Sequence, residues 1–181
     1  ITPNTNWGDK QNTNKCNPIG LNKIKRNMVS YRQIYYHIVF GTKNHQKTIP
    51  DKYCDILYKY IWGYIKNKKS KLYRINGSTE HIHLLVDIHP TIALATFIKD
   101  MKVSSSLWLK SQKEFSSFKG WSEGYGAFTI SHNDRDRIIE YIKSQKEHHK
   151  KENFEEEYIR LLKEYGLEYI LVENKDNEIQ P

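Results

Sequence analysis

Glu80-His81-Ile82-His83 runs directly into Leu84-Leu85-Val86-Asp87-Ile88. In an extended segment successive side chains point to opposite faces. Ile82, Leu84, Val86 and Ile88 would therefore share a buried face, while His81 and His83 project together from the other. Two neutral imidazoles on one strand make a clamp for a divalent ion, but two ligands are too few and a third has to come from elsewhere in the chain. Some sixty residues further on stands Tyr141-Ile142-Lys143-Ser144-Gln145, in a helical pattern whose core face is Ile138, Ile139 and Ile142. Residues four apart on a helix are neighbours, with Cβ atoms about 5 to 6 Å apart. Tyr141 and Gln145 can thus serve one site together. Gln145 offers a neutral carbonyl oxygen, a hard donor that with two imidazoles suits Mg²⁺ or Mn²⁺, and Tyr141 offers a phenol.

Each of these residues also has a plain structural reading. Two strand histidines more often face solvent or a hydrogen-bond partner than a metal. Tyr141 is one of thirteen tyrosines, and Gln145 alone would be a solvated helix residue. Only the combination favours chemistry. His37 can neighbour the histidine pair or simply be packed. Tyr125 is the rival phenol, although a glycine on each side of it suggests entry into a strand.

The elements that must position these residues follow from periodicity. Residues 31–42, Tyr-Arg-Gln-Ile-Tyr-Tyr-His-Ile-Val-Phe-Gly-Thr, alternate and are rich in aromatic and β-branched types, as a central strand requires. Pro50-Asp51 opens a helix that ends near Asn67, with Ile56, Leu57, Tyr60, Ile61 and Tyr64 at three-and-four spacing. Residues 71–77 form a second strand, 78–80 a turn and 81–88 a third strand. A long helix after Pro90-Thr91 carries Leu94, Phe97, Ile98, Met101 and Ser105 on one stripe. Its Ser104 to Ser106 run allows close packing on the sheet or contact with a ligand. Residues 124–131 supply a fourth strand. A third helix, capped by Asn133 or Asp134, runs to about Lys151. An acid-rich fourth helix follows Asn153 and stops at Gly166, and 167–172 add an edge strand. This order predicts an α+β protein of the ferredoxin-like, RRM-like βαββαβ type: an antiparallel sheet with helices on one face, plus C-terminal helices.

At 181 residues the chain fits one domain. Its formal charge of +8 and pI near 9.3 favour a polyanionic partner, with nucleic acid foremost. Residues 1–27 are rich in Asn, Lys, Gly and Pro and read as a disordered extension before a start at Met28. They hold five cations against one acid, so half of the formal charge lies outside the folded region, which is expected to span 28–172 ahead of a disordered tail at 173–181. Cys16 and Cys54 are far apart and in no metal-like spacing, which suits a reducing cytoplasm. No apolar run reaches the roughly 18 residues of a membrane span.

Taken together, these motifs resemble the single-tyrosine HUH transposases of bacterial insertion sequences, TnpA-like proteins whose relatives include REP-associated tyrosine transposases. The resemblance covers residues 28–169. It rests on Glu80-His81-Ile82-His83, on Ser104-Ser105 after Lys102, on Trp121 through Phe128, and on Tyr141 to Gln145 followed by His148-His149-Lys150-Lys151. It implies metal-dependent cleavage and rejoining of single-stranded DNA. His81, His83 and Gln145 would bind the ion and Tyr141 would be the nucleophile, leaving a 5′-phosphotyrosine and a free 3′-OH. It also implies a homodimer that recognises DNA hairpins at element ends in the cytoplasm, near the nucleoid. Lys99, Lys102 and Arg74 are then candidate phosphate contacts, with His148 a weaker one. No phosphate-cradling Gly-rich loop occurs, as expected if the phosphotyrosine retains the energy of the broken ester. Two other classes stay open. In a non-catalytic single-stranded DNA- or RNA-binding module, Tyr35, Tyr73 and His83 would stack on bases. In a metal-dependent nuclease that uses water, Tyr141 would be dispensable.

Overall fold

The computed structural model describes residues 31–149 and 152–168. The expected extension at 1–27, the tail at 173–181 and most of the expected edge strand lie outside the described residues. Leu167 and Glu168, at the start of that segment, belong to no strand. The chain divides after Arg32, and the unit from Gln33 onward carries every helix and strand described.

Four strands form one antiparallel sheet: β1 (Tyr35–Gly41), β2 (Lys71–Gly77), β3 (His81–Asp87) and β4 (Gly126–Ile130), in the order β2-β3-β1-β4. Helix α1 (Cys54–Asn67) carries the chain from β1 to β2, and α2 (Leu94–Ser111) from β3 to β4. That is the interleaved βαββαβ arrangement expected from the sequence. The first strand is shorter than its alternating pattern, because Tyr31 to Ile34 are exposed and lie outside the ladder. Similarly, α1 is preceded by a single 3₁₀ turn at Asp51–Tyr53.

The two faces of the sheet have different cores. Ile38 and Phe40 of β1, with Ile82, Leu84 and Val86 of β3, pack against Leu57, Ile61 and Ile65 of α1 and Phe97, Ile98 and Met101 of α2. Each such apolar side chain, buried completely, contributes roughly 1.5 to 3 kcal/mol. Ser105 permits the close approach of α2. It is fully buried, donates to Met101 O at 2.7 Å and accepts from Trp121 Nε1 at 3.0 Å.

The opposite face is covered by the C-terminal helices α3 (Arg135–Lys143), the single turn α4 (Gln145–His148) and α5 (Phe154–Glu164). There Tyr35, Val39, Leu85, Phe128 and Ile130 meet Ile138, Ile142, Phe154 and Leu161. The continuous third helix expected from the sequence is interrupted at Ser144. There the Ser144 hydroxyl donates to the carbonyls of Glu140 at 3.0 Å and Tyr141 at 3.1 Å, beside the backbone bond from Ser144 N to Glu140 O at 3.0 Å. Asn153 caps α5 reciprocally. Its side chain accepts from Glu156 N at 2.9 Å, and the Glu156 carboxylate accepts from Asn153 N at 3.1 Å. Gly166, at φ +68°, ends the helix as expected.

The turn that delivers β3 is tight. A Cβ on Gly77 would lie 2.2 Å from the carbonyl oxygen of His81, a backbone atom that cannot swing aside. Gly77→Ala is therefore expected to destabilise the protein by about 3 kcal/mol or more, read as a lower urea midpoint.

Candidate metal and tyrosine site

His37, His81 and His83 all lie on the sheet face under α3 and α5, and each is fully buried. His83 sits opposite Val39, and His37 opposite Leu85, so His37 and His83 are diagonal neighbours across the two central strands. Their rings share a hydrogen bond, His37 Nε2 to His83 Nδ1, at 3.0 Å. His81 Nδ1 likewise bonds Ser78 Oγ at 3.1 Å. Both rings of the motif are thus fixed through Nδ1, which turns Nε2 inward, the way ligating histidines are oriented by a second partner. Gly41, opposite His81, leaves room for Phe154, which stacks on His81 at 4.3 Å between centroids and 10° between planes.

At the focus of these rings stands Glu157 of α5, only 1 % exposed. Its Oε2 is 3.6 Å from His81 Nε2, and its Oε1 is 3.5 Å from His83 Nε2. Tyr141 donates its hydroxyl to Glu157 Oε1, and Gln145 Nε2 donates to the same oxygen at 2.7 Å. His149 Nε2 lies 3.0 Å from Glu157 Oε2 and shares a hydrogen bond with Gln145 Oε1 at 3.1 Å. The second half of the site is closed by Arg160, whose Nη2 donates to the Tyr141 oxygen at 3.2 Å while Nε holds Glu152 and Nη1 holds Glu164. The Tyr141 ring lies 5.9 Å from the His83 ring.

Sequence expectation thus brings His81, His83, Tyr141 and Gln145 together in one chain, and His37 joins them. Glu157 was not foreseen, nor was the part played by His149 and Arg160. The signal for Glu157 was present. Three residues after Phe154 and four before Leu161, it falls on the one apolar stripe of α5, where a solvated acid does not belong. The candidate phosphate contacts are dispersed. Lys99 is exposed on α2, across the sheet from the histidines. Lys102, also on α2, is committed to the carbonyls of Glu123 and Gly124, each at 3.0 Å. Arg74 is partly buried on β2, and the side chain of His148 lies outside the described residues. Tyr125, the rival phenol, lines a cavity with Ser122, Gly124, Phe154 and Tyr158.

Burial pushes His37 and His81 well below the ordinary histidine range, and the neighbouring His83 adds to this. Both rings are neutral at neutral pH, the form that ligates metals. For Glu157, burial alone would favour the acid, but the facing imidazoles of His149 and His83 and the Tyr141 hydroxyl outweigh it and hold the carboxyl well below its usual range. Tyr141 is pushed up, first by burial and then by the Glu157 charge, with Arg160 opposing.

The donor set fits a divalent cation. His81 Nε2 and His83 Nε2 are buried with no hydrogen-bond partner, a state that costs about 1 to 3 kcal/mol per atom unless something else satisfies them. One ligand atom from each of His81, His83 and Glu157 falls within 4.8 Å of the others. A cation among them would satisfy both nitrogens and the carboxylate at once.

The family model described as "Transposase IS200 like" matches residues 30–145. The transposase for insertion sequence element IS200 of Salmonella typhimurium is 28% identical over 120 residues, 64% of this chain and 78% of that protein. The ISDra2 transposase TnpA of Deinococcus radiodurans is 24% identical over 118 residues, 62% of this chain and 84% of its own length. Among solved structures, the REP-associated tyrosine transposase bound to a REP hairpin shares the fold. It has a TM-score of 0.51 and 13% identity, covering 67% of this chain and 74% of that one. The family match takes in the histidine strand, the whole sheet and the Tyr141–Gln145 segment, and on that extent the chain belongs to the IS200-like transposases.

Proposed function

We propose that this transposase cleaves and rejoins single-stranded DNA through a 5′-phosphotyrosine formed on Tyr141, using a divalent ion, Mg²⁺ or Mn²⁺, held at His81 and His83 with Gln145 beside them. The observation that carries the reading is the convergence of Tyr141, Gln145 and both histidines on one buried carboxylate within a single chain. The Tyr141 hydroxyl meets the same carboxylate that faces the inward nitrogens of the histidine pair.

The residues divide the work as follows. A bound ion would supply charge neutralisation at a non-bridging phosphate oxygen and at the departing 3′ oxygen. Arg160 and Glu157 fix the Tyr141 oxygen from two sides; the cation of Arg160 favours the phenolate and the anion of Glu157 opposes it. As the Tyr141 oxygen bonds to phosphorus, the phosphorus–3′-oxygen bond breaks, the phenol gives up its proton and the 3′ oxygen gains one. Rejoining is the same exchange reversed, with a 3′-OH displacing the tyrosine, so no nucleotide cofactor is required.

The homodimer remains part of the reading as the unit that handles two DNA ends. Hairpin recognition is proposed because a structural relative was solved with a REP hairpin. The rival reading, an RRM-like binding sheet, is disfavoured by the burial of Tyr35 and His83 under the C-terminal helices, which closes the platform on which bases would stack. Incubation with a labelled single-stranded hairpin oligonucleotide and Mn²⁺ should yield a protein–DNA adduct that survives denaturing electrophoresis. Cleavage without any adduct would instead favour a nuclease that uses water.

A further inference from the structure

The geometry points to Glu157 as a ligand of the divalent ion, supplied by a helix that lies beyond the matched family segment, so that the site is two imidazoles and a carboxylate. This rests on the reading of the histidine pair as a metal clamp and deepens it.

Three observations carry the assignment. First, the spacing brings the three groups within reach of one ion. Adjacent ligands each about 2.1 Å from an ion lie about 3.0 Å apart in an octahedral sphere and about 3.4 Å apart in a tetrahedral one, and the carboxylate oxygens of Glu157 stand 3.5 and 3.6 Å from the two imidazole nitrogens. These gaps are too long for good hydrogen bonds, and both nitrogens are left without a partner. Second, the carboxylate is an anion almost wholly out of water whose close contacts are the Tyr141 hydroxyl, the Gln145 amide and the His149 ring, none of them a permanent cation, while the Arg160 guanidinium bonds Tyr141, Glu152 and Glu164 instead. A buried charge of this kind requires a compensating one. Third, Gln145 holds the carboxylate in place: its NH₂ end donates to Glu157 at 2.7 Å, and its oxygen shares a hydrogen bond with His149 at 3.1 Å.

The carboxylate is held rigidly as well as aimed. Phe154 and Leu161, three residues before and four after it, anchor α5 in the core, and the Asn153–Glu156 box fixes the start of the helix one turn away. A second cluster, Glu80, His81 and His149, shares His81 but is only partly buried, which suits a mouth rather than a closed site. Two imidazoles with one carboxylate should favour Mn²⁺ over Mg²⁺, because Mg²⁺ selects oxygen ligands.

The test is Mn²⁺ binding by the full chain without DNA, followed through the loss of the free-ion electron paramagnetic resonance signal. Wild-type protein is expected to bind, and Glu157→Gln to bind at least about 100-fold more weakly, since loss of even an outer-sphere partner costs 10- to 100-fold. Gln145→Ala is expected to weaken binding about 10-fold or less, as befits a positioning residue. Mn²⁺ should also raise the unfolding temperature of the wild type and not that of Glu157→Gln, whose metal-free unfolding serves as the folding control. Should that variant not fold, Glu157→Asp keeps the charge but withdraws the carboxylate, and it is expected to fold and bind more weakly. Binding by the folded Gln or Asp variant within about threefold of wild type, with His81→Ala inactive in the same assay, overturns the ligand role of Glu157 and leaves the histidine clamp standing. No Mn²⁺ uptake by the wild type overturns both.

Discussion

Tyr141→Phe is expected to abolish the covalent adduct with single-stranded DNA while leaving DNA binding close to wild type. The substitution removes one oxygen, the atom that would bond to phosphorus, and nothing else. Loss of a nucleophile that acts as a unit with its neighbours typically costs on the order of 10⁴-fold or more in rate, so adduct formation should fall below detection. The structural cost is small by comparison. The hydroxyl gives up bonds to Glu157 and Arg160, of about 1 kcal/mol net, and Arg160 keeps its pairs with Glu152 and Glu164. The ring stays against His37 and His83. A denaturing gel read beside a mobility-shift assay separates the two effects. An adduct formed by Tyr141→Phe would move the nucleophile elsewhere, with Tyr125 the first phenol to examine.

The second large effect is expected from the ion. His81→Ala, or excess EDTA with the unmodified protein, should stop both cleavage and adduct formation. The two treatments complement each other. Replacing His81 also removes its bond to Ser78 and its stacking on Phe154, so part of any loss would be structural. Chelation leaves every side chain in place. Agreement between them, with activity restored to the EDTA-treated wild type and not to His81→Ala by added Mn²⁺, assigns the effect to the clamp. Normal cleavage in EDTA would remove the ion from the mechanism.

Much of this arrangement is legible in the sequence. Alternation in 31–42 and 81–88 located the two central strands, and the same alternation separated the histidines from Ile82, Leu84 and Val86. Three-and-four spacing located α1 and α2, and Asn153 and Gly166 bounded α5. The limits of legibility have physical reasons. Ser144 looks like an ordinary helix residue, and no local spacing marks it as the point where the helix divides. Glu157 was hidden by composition. It stands in a run of three glutamates at the start of α5, where acids complement the helix dipole and read as solvated. Glu155 and Glu156 behave so, while the third turns inward on the stripe of Phe154 and Leu161. Its partners come from strands some seventy residues earlier, a separation at which local patterning carries no information. The lysines failed in the opposite way: a basic side chain announces itself in any sequence, but nothing local distinguishes one free to meet phosphate from one committed, like Lys102, to nearby carbonyls.

Helix α5 has a practical bearing on how this protein is cut down for study. The family match stops at residue 145, and a fragment trimmed to that boundary would cut into α4 and lose α5. It would strip Phe154 and Leu161 from Val39, Leu85 and Phe128, leaving a sticky apolar surface beside three histidines. The smallest piece that can fold as the whole does is therefore longer than the piece relatives share, and a truncated protein that precipitates would report on a missing lid rather than on a defective catalyst.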